Sequence, residues 1–291
     1  DNNIHVSGVV TLPFQEQKRA SDYRDLIPFC KQNEISYYVA KDINSNETKA
    51  WLREINPDVI FILGWSQIFD EELIELPKKY IIGSHPSDLP YGAGRAPIVW
   101  TILEDLRKSA VSFFKINKSV DAGDIVLKKH FLIPKRTDAN FLYHLVAKKL
   151  SEGFVEVYNQ IQNNTLSQEK QDIAKRTLRS KRVYEDGQIY FNRTADEIDR
   201  LIRATSEPYP GAFANYKGVK YSIWKSELSE VTSKNRNLGE ILDIKRDGIL
   251  VQCFQSTLWL FDITNSSEKR ISTKKFEIGQ QFDLVLQNNN Q

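Results

Sequence analysis

Residues 81–100 read IIGSHPSDLPYGAGRAPIVW, and this stretch decides how the rest of the chain is interpreted. It opens with an apolar run typical of a strand, breaks into a loop rich in proline and glycine, and resumes an apolar pattern typical of a helix. His85 therefore falls at the carboxyl end of a predicted strand, where open α/β sheets bind ligands. Prolines restrict the loop backbone, so His85 can be held in one orientation. A structural histidine beside a proline-rich connection fits this stretch alone equally well.

Outward from this stretch, predicted strands and helices alternate across residues 4–162. The continuous apolar run VIFIL at residues 59–63 predicts a central strand covered on both faces. Asp138 is expected to cap a long helix, because apolar residues then recur at 3.6-residue spacing as far as Ile161. This alternation predicts a doubly wound, Rossmann-like α/β domain, which we place at residues 1–178.

Residues 179–291 predict a second domain that is mostly β. The sequence TADE at residues 194–197 forms a capping box ahead of a short amphipathic helix. Four strand-like runs follow between residues 221 and 263, with glycine and aspartate at the turns between them. This pattern predicts a small barrel or sandwich of the OB type.

Composition excludes several classes of protein. Of 291 residues, 41% are hydrophobic and 27% are charged, and the net charge of +2 implies no strong field for polyanions. The only cysteines, Cys30 and Cys253, are far apart, which disfavours a disulfide framework or a zinc site and fits a reducing compartment. Apolar runs are far shorter than a bilayer requires. We therefore expect a cytoplasmic protein with no metal and no membrane partner.

A second motif lies in residues 110–127, which read AVSFFKINKSVDAGDIVL. Asp121 and Asp124 occupy a tight turn between two strand-like runs, where carboxylates often serve only to stabilise the turn. Taken with the HPS and GRAP segments of the first stretch, the VDAGDI motif resembles the folate-dependent formyltransferases. That family includes methionyl-tRNA formyltransferase and the nucleotide-sugar N-formyltransferases. The resemblance places the family's catalytic histidine at His85 and its catalytic aspartate at Asp121.

The resemblance implies that N10-formyltetrahydrofolate is the co-substrate and gives its formyl group to an amine. It implies that Asp121 raises the pKa of His85 and fixes its tautomer, and that His85 stabilises the oxyanion. It also places folate contacts on the loop after the 59–63 strand and on the acidic turn. The folate-binding candidates are Trp65, Ser66, Ile68, Asp121 and Asp124. A tryptophan near a strand end also suits a core position.

Two positions depart from the family pattern. Gly83 stands where the family has a catalytic asparagine, and Ala93 stands where it has an arginine. Because glycine supplies no side-chain amide, an oxyanion donor is lost, which typically costs about 10²–10³ in rate. We expect empty space at Gly83 and Ser87 as a substitute donor, with a degenerate folate-binding or hydrolytic site as the alternative. The family has an earlier strand in the middle of the sheet, so we also expect that an N-terminal piece precedes Asp1.

The acceptor is predicted from the resemblance and from charge. The GWSQ, HPS and GRAP segments are more similar to those of the nucleotide-sugar N-formyltransferases than to those of other family members. Residues 162–182 are polar and basic, which is typical of a solvated surface linker but also suits contact with a phosphate-bearing substrate. Acidic and basic residues balance in residues 14–25, which disfavours transfer RNA. We expect a small-molecule acceptor, a nucleotide-linked amino sugar for polysaccharide biosynthesis, with no nucleic acid; transfer RNA formylation is the alternative. The sequence leaves open whether the chain forms a homodimer. The substrate-binding candidates are Ser87, Arg95, Arg179, Lys181, Arg182 and Tyr209.

Overall fold

A computed structural model describes residues 4–19, 23–231, 236–245, 247–265, 267 and 270–285. The chain divides into two compact units. The first contains Asp1–Pro97, Lys108–Phe131 and Leu145–Ser180, and the second contains Ile98–Arg107, Leu132–His144 and Lys181–Gln291. Across the described residues, helices that combine the length and the apolar character needed to cross a membrane are absent.

Helices and strands alternate along the first half of the chain, and strands dominate the second half. The helices are α1 (Ile27–Gln32), α2 (Asn46–Ile55), α3 (Glu71–Ile74), α4 (Pro97–Leu103), α5 (Ala139–Gln162) and α6 (Ala195–Ala204). The strands are β1 (Val9–Thr11), β2 (Tyr37–Val39), β3 (Val59–Phe61), β4 (Tyr80–His85), β5 (Ala93–Gly94), β6 (Lys108–Lys115), β7 (Ile125–Leu132), β8 (Leu178–Arg179), β9 (Ala212–Tyr216), β10 (Val219–Ser229), β11 (Ile241–Ile244), β12 (Gly248–Cys253) and β13 (Ser256–Asn265).

The main sheet of the first unit has the order β3-β4-β6-β7. Strand β3 pairs in parallel with β4, and β4 pairs antiparallel with β6, so the sheet is mixed. Strands β1 and β2 form a separate parallel pair, and β5 pairs in parallel with β8. The predicted Rossmann-like α/β class is confirmed.

The prediction for β3 is wrong within the described part of the chain. The VIFIL run was expected to form a central strand covered on both faces. Instead, β3 lies at the end of its sheet, and its three residues are only half-buried. Its described hydrogen-bonding neighbour is β4 alone, so a continuous apolar run did not specify the number of neighbouring strands.

Local sequence signals correctly predicted where two helices begin. The Asp138 Oδ1 atom accepts a hydrogen bond from the Phe141 N–H at 2.8 Å, just before α5 begins. At α6, the Thr194 N–H donates to Glu197 Oε2 at 2.9 Å, and the Glu197 N–H donates to Thr194 Oγ1 at 3.3 Å. The predicted cap and capping box are both confirmed.

The second unit is built on one antiparallel sheet with the order β11-β12-β13-β10-β9. This mostly-β arrangement confirms the predicted class of the C-terminal region, with β9 an additional strand. Its core includes the buried residues Ile189, Phe191, Ile198, Ile202, Ile223, Ile241, Ile249, Val251, Leu258, Leu260, Phe276 and Phe282.

A buried carboxylate fixes α6 within this unit. Asp199 is 1% exposed, and its Oδ2 atom lies 2.8 Å from Arg203 Nε. Its Oδ1 atom accepts from Arg136 Nη2 at 2.9 Å and from Ser226 Oγ at 2.8 Å. A buried charge is tolerated where it is paired and hydrogen-bonded in this way.

Candidate active site

His85 is the last residue of β4, and the neighbouring strand β6 fixes the turn that follows it. In the β4–β6 ladder, His85 lies opposite Ser112. The buried Ser112 hydroxyl donates to the Ser87 carbonyl at 2.7 Å and accepts from the Leu89 N–H at 3.2 Å. The loop therefore leaves the strand in one defined conformation, which holds the imidazole at the carboxyl end of β4.

The His85 ring is buried between a backbone carbonyl and a carboxylate. The residue is 7% exposed, its Nε2 atom lies 3.0 Å from the Gly92 carbonyl oxygen, and its Nδ1 atom lies 3.8 Å from Asp121 Oδ2. Because a carbonyl only accepts hydrogen bonds, Nε2 carries the proton in the neutral ring. The Nδ1 lone pair then faces Asp121. A proton taken up by this ring is therefore bound at Nδ1, beside a negative charge.

Asp121 is held by its own backbone and by the glycine-rich loop. Its φ angle is +52°, in the left-handed region, which suits the tight turn between β6 and β7. Its Oδ2 atom accepts the Gly94 N–H at 3.0 Å. Gly94 has a φ of +105°, and a Cβ there would lie 2.5 Å from the Arg179 carbonyl oxygen. Only glycine fits this position, so the loop can approach Asp121 closely.

The net shift in the pKa of His85 is downward, although Asp121 has the predicted raising effect. Burial of the ring disfavours the charged imidazolium and is the largest effect, and the positive charge of Arg179 also lowers the pKa. Asp121 and the Gly92 carbonyl act in the expected direction, since each raises the pKa, but they do not outweigh burial. The structure therefore favours a neutral imidazole facing an acidic side chain.

The expected empty space at Gly83 is filled. Gly83 and His85 are two residues apart on β4, so their side-chain directions share one face of the sheet. A Cβ at Gly83 would lie 2.5 Å from Ile116 Cδ1 and 3.4 Å from Phe114 Cζ. Ile116 packs on the small apolar cluster of Leu89, Ala93, Phe114 and Ile125. The end of the Ile116 side chain therefore occupies the position for which we predicted a vacancy, and it must move before a larger side chain can fit at Gly83.

The candidate folate residues lie on the loop after β3 and on the Asp121 turn. Trp65 is half-buried against the apolar cluster around Leu73. It therefore packs on the hydrophobic core, which was the alternative role considered for it. Ser66 is exposed and Ile68 is 67% exposed. Asp124 is half-buried, and its carbonyl accepts the Lys115 N–H at 3.0 Å.

The candidate substrate residues are divided between the units. In the first unit, the Ser87 hydroxyl is buried without a hydrogen-bond partner among the described residues, and the exposed Arg95 donates its backbone N–H to the Arg179 carbonyl at 3.0 Å. In the second unit, Lys181 is exposed and Tyr209 is half-buried. Arg182 lies over the Trp100 ring at 5.4 Å, and burial lowers its pKa.

Sequence reasoning missed the segment that holds these loops. The polar run at 162–182 was read as a surface linker, but Gln171 and Thr177 bind the backbones of the Asp121 turn and of the Gly92 loop. Gly92 itself was missed as the acceptor for His85. Glycines at positions 92 and 94 were a usable signal, whereas nothing in the composition of the linker indicated where its side chains would bind.

Comparison with known proteins identifies the family. The model of the formyl transferase family matches residues 1–158, and that of the formyl transferase C-terminal domain matches residues 182–281. The chain belongs to the formyl transferase family. The resemblance seen in the sequence is thereby confirmed, and the chain is a formyltransferase.

Individual relatives differ in their acceptors. A methionyl-tRNA formyltransferase of Geobacter metallireducens is 28% identical over 279 residues, covering 94% of this chain and 88% of its own. One from Alkaliphilus metalliredigens is 33% identical over 230 residues, covering 78% and 72%. A solved structure of WlaRD, a sugar 3N-formyl transferase with dTDP and 5-N-formyl-THF, is 22% identical, has a TM-score of 0.64 and covers 88% of each chain. This last likeness shows the fold.

Proposed function

We propose that this chain transfers a formyl group from N10-formyltetrahydrofolate to the amino group of a nucleotide-linked amino sugar. The observation that carries the proposal is the buried His85 with its Nδ1 atom 3.8 Å from Asp121 Oδ2, on the motifs by which the chain resembles the family. WlaRD, which shares the fold, was crystallised with a formylated folate and dTDP.

The reaction requires one bond to form and one to break. The acceptor nitrogen attacks the formyl carbon, and the resulting tetrahedral oxyanion collapses as the bond to N10 of the folate breaks. The products are the N-formyl amine and tetrahydrofolate, and one proton moves from the amine to N10. No net oxidation or reduction occurs.

In this proposal the two site residues handle that proton and the developing charge. Neutral His85 has its lone pair at Nδ1, so it can receive the amine proton there, and Asp121 stabilises the imidazolium that results. The imidazolium then returns the proton to the leaving nitrogen and stabilises the oxyanion by its charge. The lowered pKa of His85 makes it a ready proton donor in the second step.

The choice of a sugar over transfer RNA is supported by charge. The net charge of the chain is +2. In the sequence, Glu16, Asp22 and Asp25 offset Lys18, Arg19 and Arg24 within residues 14–25. Proteins that bind nucleic acids usually carry a concentrated basic surface. The names of the curated relatives favour transfer RNA as the second candidate acceptor.

A comparison of kcat/KM between acceptors tests the proposal. The enzyme is given N10-formyltetrahydrofolate with a panel of nucleoside-diphosphate amino sugars or with initiator methionyl-tRNA, and kcat/KM is measured for each. We expect at least one amino sugar nucleotide to exceed methionyl-tRNA. A higher kcat/KM for methionyl-tRNA than for every sugar in the panel would overturn the choice of acceptor and leave formyl transfer itself in place.

A further inference from the structure

The segment at residues 169–179, named here the strap, is joined to the strand that follows the Asp121 turn. The Ile125 N–H donates to the Glu169 carbonyl at 2.8 Å, and the Glu169 N–H donates to the Ile125 carbonyl at 2.8 Å.

The strap also binds the backbone of the Asp121 turn. The Gln171 side chain donates from Nε2 to two carbonyls of the turn, Asp121 at 2.9 Å and Gly123 at 2.7 Å. Arg176 binds the Val120 carbonyl in the same turn. One segment thus fixes the backbone that presents Asp121.

The other end of the strap is joined to the loop that contacts His85. The Ala93 N–H donates to the Thr177 carbonyl at 3.0 Å, and the Gly92 N–H donates to Thr177 Oγ1 at 2.7 Å. Gly94 and Arg179 are partners in the β5–β8 pair. Gly94 in turn donates its N–H to Asp121 Oδ2 at 3.0 Å. The strap therefore holds both the loop and the turn between which the imidazole lies.

The Arg179 side chain lies against the peptide that binds His85. A Cβ at Gly92 would lie 2.6 Å from Arg179 Cζ, so the guanidinium packs directly on this glycine. Arg179 Nη1 also donates to the Pro97 carbonyl at 3.3 Å. The carbonyl of the same Gly92 accepts from His85 Nε2 at 3.0 Å. The Arg179 guanidinium therefore packs on Gly92, the residue whose carbonyl accepts the hydrogen bond from the His85 ring.

Three elements determine the charge around His85. The β6–β7 turn contributes Asp121, which raises its pKa; the loop after β4 contributes the Gly92 carbonyl, which also raises it; and the strap contributes Arg179, which lowers it. Removing the Arg179 charge should therefore raise the pKa of His85. A purely structural role for Arg179 would not distinguish a lysine from a neutral side chain at this position.

We propose that the strap positions the catalytic pair, with Arg179 and Gln171 as positioning residues that set the orientation and the charge environment of His85 and Asp121. The proposal rests on the proposed function for its catalytic consequence. The contacts between the strap and the loop and turn around the His85 ring do not depend on that function. Positioning residues of this kind typically affect turnover more than substrate affinity, since small displacements of reacting groups cost about 10²-fold.

The test measures the imidazole pKa of His85 by NMR titration of the free enzyme. The chain has four histidines, so the resonance is assigned by its loss in His85→Gln. Arg179→Met is compared with Arg179→Lys, which keeps the charge, and with Lys175→Met, which removes an exposed strap cation that is paired with Asp172 at 3.1 Å. We expect the pKa of His85 to rise in Arg179→Met and to stay near the wild-type value in the other two variants.

Turnover provides the second measurement. Gln171→Leu and Arg179→Met should lower kcat roughly 10–100-fold with little change in KM, while Gln168→Leu, which alters the exposed neighbour outside the strap, should match the wild type. A folded Arg179→Met whose His85 pKa is unchanged would overturn the proposal. If the wild type makes no formylated product, the proposed function fails, and the NMR titration still decides the role of the strap.

Discussion

Ile116 occupies the space into which a side chain at Gly83 would project, since a Cβ at Gly83 would lie 2.5 Å from Ile116 Cδ1. The Gly83→Asn variant should therefore strain the site, destabilising the protein by about 1–3 kcal/mol and lowering turnover. Because valine lacks the Cδ1 atom, Gly83→Asn/Ile116→Val should relieve the contact. We expect the double variant to turn over at least about 10-fold faster than Gly83→Asn alone, since an amide then reaches the oxyanion.

Ile116→Val alone is the control for this pair. It should cost about 0.5–1.5 kcal/mol of stability and leave turnover near that of the wild type. The measurement is a double-mutant cycle in kcat, with chemical denaturation alongside. If Gly83→Asn by itself increases turnover without loss of stability, Ile116 does not block the position. That result would support the empty space that the sequence predicted at Gly83.

Local signals were sufficient for part of this structure. Asp138 and Thr194 were identified as caps because capping depends on residues three positions apart. His85 and Asp121 were paired because both lie in motifs of the family. Ile116, by contrast, blocks Gly83 only through the register of two strands, and Gln171 contacts the Asp121 turn across 50 positions of sequence. Such tertiary contacts leave no periodic pattern, so neither residue was predicted.

The stability of the protein should depend on pH through His85. Its folded pKa is lowered, so below the ordinary histidine pKa of about 6.5 the unfolded chain binds a proton that the folded chain does not. The stabilisation is present above that pH and is lost as pH falls towards the folded pKa, with a slope of up to about 1.4 kcal/mol per pH unit. Thermal unfolding from pH 8 to pH 5 should show a weaker dependence in His85→Gln.

The exposed His130→Gln variant is the matched control for this pH experiment. It should follow the wild-type dependence on pH. A His85→Gln variant that loses stability with falling pH as steeply as the wild type would show that the buried ring does not contribute.

The buried carboxylate of Asp199 should be essential for the stability of the second unit. Asp199→Ala removes the buried partner of Arg203 and Arg136 and should cost about 3–5 kcal/mol. On the same helix, Asp196 pairs with Arg200 at 3.0 Å, and its side chain is 57% exposed. Asp196→Ala should cost less than about 1 kcal/mol by urea denaturation. Equal losses in the two variants would contradict the argument from burial.

His85 and Asp121 should act as one unit in catalysis. His85→Asn and Asp121→Asn are each expected to reduce kcat by at least about 10²-fold, because each removes one part of the same proton transfer. The double variant should be little slower than either single variant. Additive losses in kcat, or a single variant with turnover close to that of the wild type, would separate the two residues.

The most direct test of the central claim follows the formyl carbon itself. The enzyme is mixed with N10-formyltetrahydrofolate that carries ¹³C in the formyl group and with a nucleoside-diphosphate amino sugar, and the label is traced by NMR. Our account predicts that the label enters a formamide on the sugar amine, one for each tetrahydrofolate released, and that His85→Asn suppresses this signal. Label recovered only as free formate, or in the formamide at an equal rate in His85→Asn, would contradict it.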